Sequence, residues 1–97
     1  MQFMVMSRPT PSRPTDVRGA QASFWDWLQK EKQAGLVKAC YVRAGRGAIL
    51  VFDVDTHETL HRLMTEWANC IPARFEVIPL IDPGHQEAIA RKATTGH

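Results

Sequence analysis

Apolar residues along this chain switch between alternation and helical spacing, and each switch marks a new element. Phe3 and Val5 alternate with Gln2, Met4 and Met6, which predicts a short strand over Gln2 to Ser7. Pro9, Pro11 and Pro14 then argue against a regular element, so Arg8 to Thr15 is expected to be a connection. Its P-x-x-P spacing is read as a loop entering a helix rather than as a polyproline ligand. With Thr15 or Asp16 as N-cap, Ala20, Phe24, Trp27, Leu28 and Glu31 recur at helical spacing until Gly35 supplies a stop. Leu36 to Arg43 reads as a second strand, with Val37, Ala39, Tyr41 and Arg43 on one side and Lys38, Cys40 and Val42 on the other. Ala44-Gly45-Arg46-Gly47 is its turn.

The run Ala48 to Val54 is apolar except for Asp53, the pattern of a strand covered on both faces. Asp55 is positioned to cap the next helix, with Glu58 completing a capping box, and Leu60, Leu63, Met64 and Trp67 form one apolar stripe. Asn69 to Pro72 ends that helix, and Ala73 to Leu80 reads as a fourth strand. Asp82-Pro83-Gly84 then turns the chain into a short polar helix, His85 to Lys92. The order is βαββαβ: an α+β, ferredoxin-like domain over residues 1–81, with an antiparallel four-stranded sheet, two helices on one face, and an extension over 82–97. The other face of the sheet lacks a cover. Because the third strand is apolar on both sides, a second subunit is expected there, giving a homo-oligomer, a dimer or larger, of the dimeric α+β barrel kind.

A chain of 97 residues supports one domain with a modest core, which makes burial against a partner copy a natural supplement. Twelve basic and ten acidic residues leave a net charge of +2, spread without a basic block, so neither nucleic acid nor an anionic membrane is an expected partner. The opening MQFMVMSRP is too short an apolar run for a signal segment or membrane span, and a cytoplasmic location is expected. Cys40 and Cys70 lack C-x-x-C spacing and are read as reduced packing residues.

His57-Glu58-Thr59-Leu60-His61 fits the H-E-x-x-H pattern of zinc hydrolases. At about 100° per residue, His57 lies about 70° and His61 about 110° from the centre of the apolar stripe, at the rim of the buried face. A third ligand would have to come from Glu76, His85 or Glu87, none at a motif-defined position, so no metal site is expected.

Taken together, Val51-Phe52-Asp53-Val54, Glu58 and Leu60-His61 within H-E-T-L-H, and Glu76-Val77 with Leu80 resemble the muconolactone isomerase family in an ungapped run. Phe3, Val5, Gly35 and Ala44-Gly45 extend the resemblance with small shifts, so that it spans residues 1 to 80. In that family pattern the second histidine of H-E-x-x-H is kept and the first is not. The resemblance implies a small oligomeric α+β barrel that shifts a double bond in an unsaturated lactone by proton transfer, without a cofactor. Such chemistry needs a base, a donor for the dienolate and a cation for a carboxylate, in a cavity that excludes water.

Candidate catalytic residues are therefore His61 and Asp26, whose positions match the resemblance, with Tyr41, Arg43 and Glu31. Tyr41 and Arg43 would supply a donor and a carboxylate fork if their strand face points to the helices. Each has a plainer role open to it: Arg43 and Glu31 as solvated charges, Tyr41 as a core aromatic, His61 as a helix histidine bonded to a strand. Met4 and Met6 stand where the isomerases carry a histidine and a lysine, and Trp67 to Pro72 replaces a proline-bracketed segment. With Trp67, these methionines are expected to line an apolar substrate pocket suited to a greasier substrate. A noncatalytic small-molecule-binding or assembly protein, and a cofactor-free monooxygenase or cyclase, are the alternatives on the same framework.

Overall fold

The computed structural model describes residues 1–11 and 14–95, with side chains over 1–11 and 19–93. The elements are β1 (Gln2–Pro9), α1 (Pro14–Gln33), β2 (Val37–Val42), β3 (Ala48–Asp53), α2 (His57–Cys70), β4 (Ala73–Leu80) and α3 (Pro83–Thr95). Neighbouring strands pair antiparallel in one sheet of order β2-β3-β1-β4, and α1 packs beside α2 on one face. This is the ferredoxin-like α+β arrangement that the apolar pattern predicts.

Phe3 and Val5 of β1, Leu50 and Phe52 of β3, Phe24 and Leu28 of α1, and Leu63 and Trp67 of α2 form the core between sheet and helices. Complete burial of a Leu or Phe side chain is worth about 1.5–3 kcal/mol, so these contacts carry most of the stability of so small a domain. Gly35 ends α1 with φ +80°, where the Leu36 N–H donates to the Glu31 carbonyl at 3.1 Å and the Gly35 N–H to Lys32 at 3.0 Å. That closure is a Schellman motif, and it turns the chain directly into β2.

Several boundaries differ from the sequence expectation for local reasons. β1 continues through Arg8 and Pro9, because beyond Met6 it pairs only with β4. Successive N–H groups of a strand point to opposite edges, and the Thr10 N–H donates to the Pro72 carbonyl at 3.1 Å. The position where Pro9 lacks an N–H therefore faces the side β3 has left. Pro14 begins α1, so Thr15 and Asp16 belong to its first turn. Thr56 caps α2 in place of Asp55, its hydroxyl accepting the Thr59 N–H at 3.1 Å. Asp82 accepts the Gly84 N–H at 2.9 Å on its carboxylate and the His85 N–H at 3.0 Å on its carbonyl, which starts α3 at Pro83. The described side chains of α3 are all exposed.

The largest correction concerns β2. Val37 pairs with Phe52 but Ala39 pairs with Val51, so the ladder slips by one residue at Lys38. A slip of one reverses the faces. Val37 points to the core, whereas Ala39 and Tyr41 join Met4, Met6, Ile49, Val51, Ile78 and Leu80 on the face opposite the helices. Tyr41 there is 66% exposed. Arg8 lies directly across from Arg74 at one end of the same face.

Two polar devices hold this framework. Between the helices, Glu31 is buried and meets the Arg62 guanidinium at 3.5 Å. Arg62 also grips both Glu66 carboxylate oxygens at 3.0 Å, and the Trp27 indole N–H donates to Glu66 at 2.9 Å. At the β2–β3 hairpin, Gly47 has φ +111°, and a Cβ there would collide with the Ser7 carbonyl. Gly45 has φ +93° but open space around it.

The two glycines should therefore separate. Gly45→Ala is expected to cost about 1–2 kcal/mol from its backbone conformation alone, and Gly47→Ala about 3 kcal/mol or more because β1 must also shift; urea unfolding of both variants checks the order. The Trp27 indole N–H, aided by Arg62 and opposed by partial burial, holds the Glu66 carboxyl below the usual glutamate range. Its contribution to stability is thus full above the ordinary glutamate pKa and is lost as pH falls through the lower folded value. The stability gap between the wild type and Trp27→Phe should accordingly narrow between pH 7 and about pH 3; a gap constant in pH would assign the effect of Trp27 to packing alone.

Candidate functional site

Helical spacing places Phe24 and Trp25 about 100° apart on α1, so the first enters the core and the second sits at its rim. Trp25 is 44% exposed, and the two rings meet edge-on with centroids 5.3 Å apart. Trp67, in the last turn of α2, lies 5.8 Å from Phe24 and 4.8 Å from Phe75, centroid to centroid. Phe24, Trp25 and Trp67, with the end of β1 and the β2–β3 hairpin, line a half-open cavity of about 250 Å³. Phe24, Trp25 and Trp67 give it aromatic walls, Ser7 and Gln21 add polar groups, and Arg46 stands in its hairpin wall.

Ser7 is buried, and its hydroxyl is fully engaged: it accepts the Ala48 N–H at 2.9 Å and donates to the Ala48 carbonyl at 3.3 Å. This side chain continues the ladder where β1 and β3 diverge, and it has no adjacent base to make it a nucleophile. Arg43 donates to the Ser7 carbonyl at 3.0 Å, and Arg46 to the Thr10 carbonyl at 3.3 Å. Both guanidiniums are thereby fastened to the end of β1, and neither meets a carboxylate among the described residues. Burial pushes the thiols of Cys40 and Cys70 up from their ordinary range, with Lys32 opposing the effect at Cys40, so both stay protonated at neutral pH. They are unpaired packing groups.

The residues singled out in the sequence do not converge. Trp67 lines the cavity, and Arg43 packs against Gly47 in its wall. His61 and Asp26 are exposed on the helices, and Tyr41 lies on the opposite sheet face because of the β2 slip. Glu31 is taken up by Arg62 between the helices. Met4 and Met6 point to the opposite sheet face as well, away from Trp67. His57 and His61 are both exposed, His57 standing edge-on to Phe3 at 6.0 Å, and among the described residues no third His, Cys, Asp or Glu joins them in a metal-sized group. Sequence reasoning missed Arg46, Gln21 and Ser7. The available signal for Arg46 was its position between two glycines of a tight hairpin.

Comparison with solved structures places the fold among known ones. The chain superposes on 5-chloro-2-hydroxyhydroquinone dehydrochlorinase (TftG) from Burkholderia phenoliruptrix AC1100, solved in complex with 2,5-dihydroxybenzoquinone, with TM-score 0.69 and 14% identity over 88% of this chain and 98% of that one. It also resembles the de novo designed protein Ferredog-Diesel, with TM-score 0.55 and 14% identity over 81% of this chain and 85% of the design. At such identity the likeness is one of fold. No curated protein matches the sequence. The model of the domain of unknown function DUF3303 matches residues 1–94, and the chain belongs to that family.

Proposed function

We propose that this chain holds a small, flat, unsaturated molecule in the cavity beside Trp67, and that it does so as a cytoplasmic homo-oligomer of the dimeric α+β barrel kind. The observation that carries the reading is the cavity itself: aromatic on its α1 and α2 sides and one ring in size. Ligand sites of this type combine apolar walls with a few polar groups that orient the bound molecule. The fold relative solved with a dihydroxybenzoquinone supports a ligand of that shape.

The lining favours binding over catalysis. Among the described residues that form it there is no carboxylate, imidazole, thiol, phenol or amine to move a proton. Cofactor-free isomerisation of a lactone or conjugated carbonyl compound is the second reading, supported by the resemblance to muconolactone isomerases around Val51 to Leu80. It would have to draw its base from His61 or Asp26, which lie exposed on the helices.

The sheet supports the oligomer. Met4, Met6, Ile49, Val51, Ile78 and Leu80 share one face with no helix over it, and a second copy is the simplest cover for such a surface. No described helix is long and apolar enough to cross a membrane.

In deuterated buffer with muconolactone, proton NMR is expected to show ligand line-broadening without product and without accelerated exchange of the ring protons. Exchange or product would move the conclusion to the isomerase reading. Val51→Lys is expected to shift the protein from oligomer to monomer, or out of solution, in size-exclusion chromatography with light scattering. An unchanged soluble oligomer would remove the sheet face from the interface.

A further inference from the structure

We propose that the molecule held in this cavity is a monoanion, a one-ring aromatic or conjugated acid whose charge rests on Arg46. The inference depends on the reading of the cavity as a ligand site and adds the ligand's chemical class.

Three observations carry it. First, Arg46 is presented by Gly45 and Gly47, which also line the cavity and have φ of +93° and +111°. Arg46 itself is exposed, so its guanidinium can be reached from solvent. Second, its tether is a neutral carbonyl: one N–H goes to Thr10 at 3.3 Å, and no carboxylate among the described residues pairs with it. A guanidinium has five donors in a planar fork, so most of its capacity for an anion remains. Arg43, bound to the Ser7 carbonyl at 3.0 Å and packed on Gly47, adds a second uncompensated positive charge beside the same wall. Third, no acidic side chain lines the cavity among the described residues, so nothing in the lining repels an anion.

The remaining lining sets the shape. Trp25 and Phe24 offer aromatic surface on the α1 side and Trp67 closes the α2 side. A flat ring between them would reach the hairpin with its acidic group and leave the Gln21 amide for a second polar substituent. About 250 Å³ admits one ring with small substituents, below the range of about 300–1,000 Å³ typical of drug-sized ligands. Carboxylate and phenolate present the same charge to the same fork, and the test separates them.

Tryptophan fluorescence would be titrated with benzoate, the neutral benzamide and 4-nitrophenolate, in wild type, Arg46→Gln and Arg46→Lys, at low and high salt. Benzoate is expected to bind at least tenfold more tightly than benzamide. That preference should vanish in Arg46→Gln, with the larger loss falling on benzoate, and it should shrink with salt. Arg46→Lys should keep part of it, since charge remains and the fork is lost. Tighter binding of 4-nitrophenolate than of benzoate would assign the site to phenolates; the reverse order assigns it to carboxylates. Equal affinity for benzoate and benzamide in wild type overturns the anion inference and leaves the cavity reading standing. If neither perturbs the fluorescence, the cavity reading falls and this inference with it. Circular dichroism of each variant separates loss of binding from loss of fold.

Discussion

Trp67 is the point on which this structure turns. It is 1% exposed and meets rings from the facing helix and from two strands: Phe24 and Trp27 on α1, Phe52 on β3 and Phe75 on β4. An indole spreads its contacts over a large area with few rotatable bonds, so one side chain fixes the distance between α2, α1 and the sheet at a small entropic cost. The Trp27–Glu66–Arg62–Glu31 chain then sets the register of α1 against α2 from the polar side. The cavity is the space left where this packing ends. Its Phe24 and Trp67 walls belong to the buried core, which is the condition for a site that selects by shape on that side.

Much of the fold could be read from the order of apolar residues, because burial selects for spacing and spacing reports the element. β3, α2 and β4 declare themselves within one continuous stretch, Ala48 to Leu80. What could not be read are features set by a partner strand or a single bond. The slip of β2 at Lys38 leaves no mark in the sequence, since Val37, Ala39 and Tyr41 alternate as an unbroken strand would; it exists only in the pairing with β3. Pro9 counts as a strand breaker until β4 is known to pair on one side alone. The choice of Thr56 over Asp55 as cap is likewise local, since both residue types suit the position.

The site was less legible than the fold, and for a related reason. The candidate base, donor, cation and pocket residues were spread over helices and both sheet faces, whereas the cavity draws on residues whose roles in sequence look structural. Trp67 was found because a stripe and a pocket wall share it. Arg46 looked like one polar residue in a glycine turn, and its value comes from facing a cavity made by elements distant in sequence. Tyr41 failed on parity: a slip of one residue carried it to the far side of the sheet.

That parity also changes what the methionines of β1 imply. Met4 sits between Val51 and Ile78, and Met6 between Ile49 and Glu76, on the uncovered face. Thioethers there, where muconolactone isomerases carry a histidine and a lysine, make that face more apolar and leave the lining of the helix-side cavity untouched. The departure from the isomerase pattern therefore bears first on what covers the sheet. Arg8 and Arg74 sharpen the point, since like charges directly across an antiparallel pair repel and neither has an ion-pair partner among the described residues. Glu76 stands on the same face one pair along, across from Met6, so whatever covers the apolar centre meets a cluster of mixed charge at that end.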